Sequence, residues 1–71
     1  MLPIITAHVL KYENRAKQVD QNTLIEEMSS EYKKAFLIDI VVYYYGMKKG
    51  EASGKNKPEL VLFVTEKVIS K

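Results

Sequence analysis

One histidine and one carboxylate are the residues of this sequence whose types could support acid–base chemistry. His8 is the only histidine in the 71 residues, and Asp39 is the single charged residue within the apolar stretch 36–45. A carboxylate beside an imidazole orients the ring and makes its protonation sensitive to pH. If His8 and Asp39 meet, they form a general acid–base pair or a pH switch. The alternative, which we favour, is a polar island inside a protein–protein interface.

Other catalytic or cofactor chemistry has little support. No cysteine is present, and no serine has the setting of an activated nucleophile. A lone histidine is poor material for a metal site, because zinc sites use three or four His, Cys or carboxylate ligands. We therefore expect a non-enzymatic protein with no cofactor and no metal.

A basic cluster follows the apolar stretch and raises the possibility of nucleic-acid binding. Its members are Lys48, Lys49, Lys55 and Lys57. A flexible basic segment can follow a nucleic-acid backbone and make salt-sensitive contacts that are independent of base sequence, and the tyrosines at 43–45 could stack on bases. However, 11 Lys and Arg against 9 Asp and Glu leave a net charge of only +2, which is too small for a strong steering field. Nucleic-acid binding is therefore the second hypothesis.

The apolar stretch 36–45 predicts a β-strand, because it is rich in β-branched and aromatic residues and ends at Gly46. Alternate side chains of a strand share a face, so one face of this strand is wholly apolar. The other face is apolar apart from Asp39. A third predicted strand, residues 59–69, extends this second face of the sheet. The residues of this second face are Leu37, Asp39, Val41, Tyr43, Tyr45, Val61 and Phe63.

Four other segments complete the predicted domain. Residues 4–10 predict a first strand, and residues 22–36 predict an amphipathic helix that starts at the capping-box pattern Thr23–Glu26. Residues 46–58 contain all three glycines and predict a flexible hairpin loop, and residues 59–69 predict a third strand. The order β-α-β-β predicts a single α+β domain in which one helix packs on one face of a three-stranded mixed sheet.

The second face of that sheet has no cover within the chain. A domain of this size buries only about 60% of its unfolded surface and has little material to spare. We therefore predict self-association through the open face, with a dimer favoured. The expected function is a small non-enzymatic regulator, inhibitor or accessory protein that acts by binding another protein.

Composition and hydropathy predict where the protein works. Apolar residues at 46% and charged residues at 28% are ordinary globular values and argue against disorder. No apolar run approaches the roughly 20 residues that span a bilayer, and the first ten residues lack the pattern of a signal peptide. The absence of cysteine fits a reducing compartment. We expect a cytoplasmic protein with no membrane partner.

Overall fold

The computed structural model describes residues 3–70, and within that range the chain is helical and contains no β-strand. The prediction of an α+β domain with a three-stranded sheet is therefore wrong. A π-helical turn, Ile40–Tyr44, continues the third helix directly. The α-helices of residues 3–70 are α1 (Pro3–Arg15), α2 (Gln21–Glu31), α3 (Lys34–Asp39), α4 (Lys49–Ser53) and α5 (Lys57–Ile69).

The stretch predicted as the central strand forms α3 and the π-helical turn. Leu37, Ile40 and Val41 recur at the three- and four-residue spacing of a helix, and all three are buried. A continuous apolar run satisfies the strand period and the helix period equally well. The strand preference of its β-branched residues is weak, and tertiary packing overrides it.

The first predicted strand is part of α1, and its burial follows the helical period. Ile5, Val9 and Tyr12 are spaced at i, i+4 and i+7 and all face the core. The strand interpretation grouped alternate residues and so placed Ile5 with Ala7, which is exposed.

The third predicted strand is α5, which begins at a complete capping box. The side chain of Asn56 accepts a hydrogen bond from the backbone N–H of Glu59 at 3.2 Å, and Glu59 Oε1 accepts one from the backbone N–H of Asn56 at 3.3 Å. Pro58 lies in the first turn, where a missing N–H has no cost. These helix-start signals are present in the sequence, and the hairpin interpretation overlooked them. The buried residues of α5 are Leu60, Val61, Val64, Thr65 and Val68.

The single helix predicted over 22–36 is two helices separated by a break. Tyr32 has extended backbone angles, φ −114° and ψ 141°, and Lys33 is extended as well. The start of α2 also differs from the expected capping box at Thr23–Glu26. Asp20 is the N-cap, and its carboxylate accepts a hydrogen bond from the backbone N–H of Thr23 at 2.8 Å.

The segment predicted as a flexible hairpin loop, 46–58, contains α4 and the first residues of α5. Gly46 ends the π-helical turn with φ 78°, in the left-handed region that glycine adopts without steric cost. The next residue, Met47, donates its N–H to the carbonyl of Val41 at 2.9 Å. Ala52 of α4 is fully buried, so this segment is packed on the domain rather than projecting from it.

The core lies where α5 packs against α2, α3 and α1. Leu24 and Met28 of α2 are fully buried there. Thr65 of α5 is also fully buried, and its hydroxyl donates to the sulfur of Met28 at 3.7 Å. Within the part of the chain that the structure describes, no helix is long and apolar enough to cross a membrane.

Candidate functional site

A shallow groove of about 540 Å³ runs between α1, the C-terminal end of α2 and α3. We call it the aromatic groove, because three of its lining side chains carry rings. The break between α2 and α3 forms part of its wall, since Tyr32 and Lys33 both line it. Its lining residues are His8, Glu31, Tyr32, Lys33, Ala35, Phe36 and Asp39.

The rings of His8, Tyr32 and Phe36 form one cluster at this groove. The ring centroid of His8 lies 5.2 Å from the ring centroid of Tyr32 and 5.2 Å from that of Phe36, with edge-to-face geometry in both pairs. Nδ1 of His8 and the hydroxyl of Tyr32 are hydrogen-bonded at 2.6 Å. Tyr32 is buried, while His8 and Phe36 keep part of their surface exposed. The imidazole is therefore held in one orientation at the edge of the groove.

Glu31 connects this cluster to α1. Its carboxylate accepts hydrogen bonds from the hydroxyl of Tyr12 and from Nζ of Lys11, the latter at 3.1 Å, and lies 3.9 Å from Nδ1 of His8. The hydrogen bond from Tyr12 holds the pKa of Glu31 below its usual value. Burial, aided by the negative charge of Glu31, raises the pKa of Tyr12 far above its usual value. Tyr12 therefore stays protonated and serves as a fixed donor.

The contacts between α1 and α2 repeat along both helices. Lys11 pairs with Glu31, and one turn further along α1, Arg15 pairs with Glu27 at 2.8 Å. Both the two bases and the two acids are four residues apart, which places each pair of like charges on one side of its helix. This matched spacing was available in the sequence as a sign that two antiparallel helices face each other. The sequence prediction did not use it, because Lys11 and Arg15 follow the predicted strand 4–10 and were assigned to a loop.

The structure brings His8 and Asp39 to the aromatic groove, but the acid–base pair that the sequence left open does not form. The partners of His8 are Tyr32 and Glu31. Asp39 lies at the junction of α3 and the π-helical turn, half-buried, and its carboxylate has no hydrogen-bond or ion-pair partner among residues 3–70. It is therefore a carboxylate at a concave surface without an ion pair in the described chain.

The predicted interface face is dispersed by the helical fold. Leu37, Val41 and Val61 are fully buried in the core of the single chain. Tyr45 and Phe63 are half-buried and pack on each other with ring centroids 6.0 Å apart. Residues two apart on a helix point in nearly opposite directions, so alternate residues cannot share one face. Of the remaining two residues, Tyr43 is exposed and Asp39 lines the groove.

Tyr45 carries an unsatisfied polar group. Its hydroxyl is buried and has no hydrogen-bond partner in the described part of the chain. This burial raises the pKa of Tyr45 to about 12. A buried hydroxyl without a partner costs about 1–3 kcal/mol, so the residue contributes to stability through its ring alone.

The lysines predicted to contact nucleic acid have different environments. Lys57 is half-buried, and its Nζ donates to the backbone carbonyl of Ser29 at 2.6 Å, near the C-terminal end of α2. A cation at this position also interacts favourably with the helix dipole. Lys55 is half-buried, while Lys48 and Lys49 are exposed at the start of α4. At least one of the four therefore has a structural role.

Within residues 3–70, no group of three or more His, Cys, Asp and Glu side chains is placed to hold a metal ion. Comparison of the chain with models of protein families, with curated proteins and with solved structures finds no match. The aromatic groove is therefore interpreted from its own residues.

Replacing Glu31 with glutamine should lower the free energy of unfolding near pH 7. It should also make that free energy fall less steeply as the pH is lowered. The pKa of Glu31 in the folded chain lies below the unfolded value of about 4.3. The ionised Glu31 therefore stabilises the folded protein fully above the unfolded-state pKa, and this stabilisation is lost as the pH falls through the folded-state pKa. We expect wild type to be more stable than Glu31→Gln near pH 7, with the difference shrinking as the pH falls below the unfolded value. Urea denaturation at several pH values measures it.

Glu26→Gln is the matched control, because Glu26 is an exposed carboxylate of the same helix. It should unfold at the wild-type urea concentration throughout this pH range. A difference between wild type and Glu31→Gln that is the same at every pH would contradict a role for the charge.

Proposed function

We propose that the protein is a non-enzymatic binding module that holds a segment of a partner protein in the aromatic groove. The observation that carries this proposal is the combination of a partly exposed aromatic cluster with an unpaired carboxylate, Asp39, at one concave surface. Protein–protein interfaces typically combine a core enriched in aromatic residues with polar groups at the rim. The negative charge of Asp39 favours an occupant that carries polar or positively charged groups, and a polypeptide segment meets this condition whereas a purely apolar molecule does not.

The geometry around His8 supports binding over catalysis. Nδ1 of His8 is hydrogen-bonded to Tyr32, and burial raises the pKa of Tyr32 far above its usual value, so this tyrosine is a poor nucleophile or base. Asp39 does not orient the imidazole through a hydrogen bond. Among the described residues that line the groove, the only hydroxyl within hydrogen-bond reach of a base is therefore this buried, protonated tyrosine.

The partner is a different protein in this proposal. The homodimer predicted earlier depended on an open sheet face, and that face has no counterpart in residues 3–70. Nucleic-acid binding gains no specific support, because Lys57 bonds to Ser29 and the tyrosines at 43–45 differ in exposure. A cytoplasmic location is part of the proposal and is supported by the absence of cysteine.

Selection of a random peptide library on the immobilised protein tests the proposal. The blocking variant is Ala35→Trp, because Ala35 is exposed and lines the groove, so a large ring there fills the groove without entering the core. The control is Ala7→Trp, an exposed position on α1 outside the groove lining. Circular dichroism and urea denaturation establish that both variants are folded.

We expect enriched peptides that bind wild type and Ala7→Trp equally and lose most of their affinity for Ala35→Trp. Two results would overturn the proposal. One is a library that yields no enriched peptide. The other is a set of peptides that bind Ala35→Trp as well as they bind wild type.

A further inference from the structure

We infer that the segment held in the aromatic groove presents an arginine or lysine side chain beside an apolar residue, and that Asp39 is the carboxylate that receives the cation. This inference rests on the proposed function and specifies the chemistry of the partner. It follows from which charged groups and aromatic rings at the groove already have partners within the chain and which do not.

The charges at the groove leave one carboxylate uncompensated. Glu31 is paired with Lys11 of α1 and accepts a further hydrogen bond from Tyr12. Asp39 has neither kind of partner among residues 3–70 and is half-buried. A carboxylate at a concave surface beside aromatic rings gains more from a cation than one in open water, because the effective dielectric constant there is lower.

The only cation among the lining residues, Lys33, does not change this preference. Lys33 is exposed and makes no ion pair with Asp39. Its ammonium group is strongly hydrated on a flexible stem, whereas Asp39 has a short side chain on a helix. An acidic occupant would meet the unpaired carboxylate of Asp39, and like charges brought together at a binding surface oppose association.

The aromatic side chains supply the second part of the recognition. Phe36 precedes Asp39 by three residues on α3, a spacing that places both on one side of the helix, and both line the groove. A cation bound to the carboxylate therefore lies near a partly exposed ring, which attracts it further. Arginine fits best, because its planar guanidinium can bond a carboxylate with two N–H groups and stack on a ring. The partly exposed surfaces of His8 and Phe36 accommodate the neighbouring apolar side chain.

The test uses the peptides selected on wild type. We expect arginine and lysine to be over-represented among them at one position next to an apolar residue. For the tightest arginine peptide, Asp39→Asn should weaken binding by about tenfold or more, and so should replacing that arginine with neutral citrulline. The two changes together should cost little more than either one, because they remove the same contact. Glu26→Gln, which changes the net charge equally, should leave the affinity unchanged.

Selection on Asp39→Lys gives an independent result, since it should enrich acidic residues in place of basic ones. Peptides that lose binding to Ala35→Trp but contain no enriched basic residue would overturn the inference and leave the proposed function standing. So would peptides with a basic residue that bind Asp39→Asn as tightly as wild type. Peptides indifferent to Ala35→Trp, or a library without enrichment, would overturn both.

Discussion

Replacing Val41 with glutamate should unfold the protein. Val41 has no exposed surface and lies in the π-helical turn that packs into the core. An ionised carboxylate buried there without a partner costs several kcal/mol. The whole free energy of unfolding of a domain this small is roughly 5 kcal/mol or somewhat more. We therefore expect loss of the helical circular dichroism signal and of cooperative urea unfolding.

Tyr43→Glu is the control for this change. In a strand, Val41 and Tyr43 would share one face, and glutamate at either position would have a similar effect. In the helical structure Val41 is buried, whereas the side chain of Tyr43 is 52% exposed. Tyr43→Glu should therefore keep its helical signal and unfold near the wild-type urea concentration. A Val41→Glu protein that folds as well as Tyr43→Glu would contradict the burial of Val41.

Replacing Leu60 with alanine should have the second-largest effect. Leu60 has no exposed surface and lies in the first turns of α5, the helix that packs against α2, α3 and α1. Truncating a buried leucine removes apolar contacts and leaves a cavity, which together cost about 2–5 kcal/mol. Urea denaturation should show a lower midpoint with little change in slope.

Leu62→Ala makes the same chemical change two residues further along α5. Leu62 is 45% exposed, so its truncation should change the free energy of unfolding by about 0.5 kcal/mol or less. The pair also separates helix from strand, because residues 60 and 62 would share one face of a strand. Equal losses of stability in the two variants would be inconsistent with the helical burial of α5.

Some helical features could be predicted from the sequence because they depend on neighbouring residues. The amphipathic pattern over residues 22–36 predicts a helix, and the structure forms α2, Gln21–Glu31, over the first part of that range. The capping box from Asn56 to Glu59, with Pro58 between them, likewise depends only on neighbouring residues and could be recognised in the sequence. It was missed because the glycines before it favoured a hairpin loop.

The aromatic groove could not be predicted in the same way. His8 and Tyr32 are 24 residues apart, and their hydrogen bond exists only because α1 lies beside the end of α2. The break at Tyr32 and Lys33, which shapes the groove, has no proline or glycine to announce it. The sequence left open whether His8 and Asp39 meet. The structure places both at the groove, with Tyr32 as the hydrogen-bond partner of His8.

The sequence by itself determined which segments had to be covered and where polar caps could start helices. The tertiary structure decided whether the long apolar runs became strands or helices. Runs such as 36–45 are apolar at almost every position. They therefore present an apolar face both as a strand, with a period of 2 residues, and as a helix, with a period of 3.6 residues. Local preference for either form is worth only a fraction of the packing energy that burial in the core provides. Contact with α5 and α1 therefore made that choice, and the packing of α1 beside the end of α2 formed the groove.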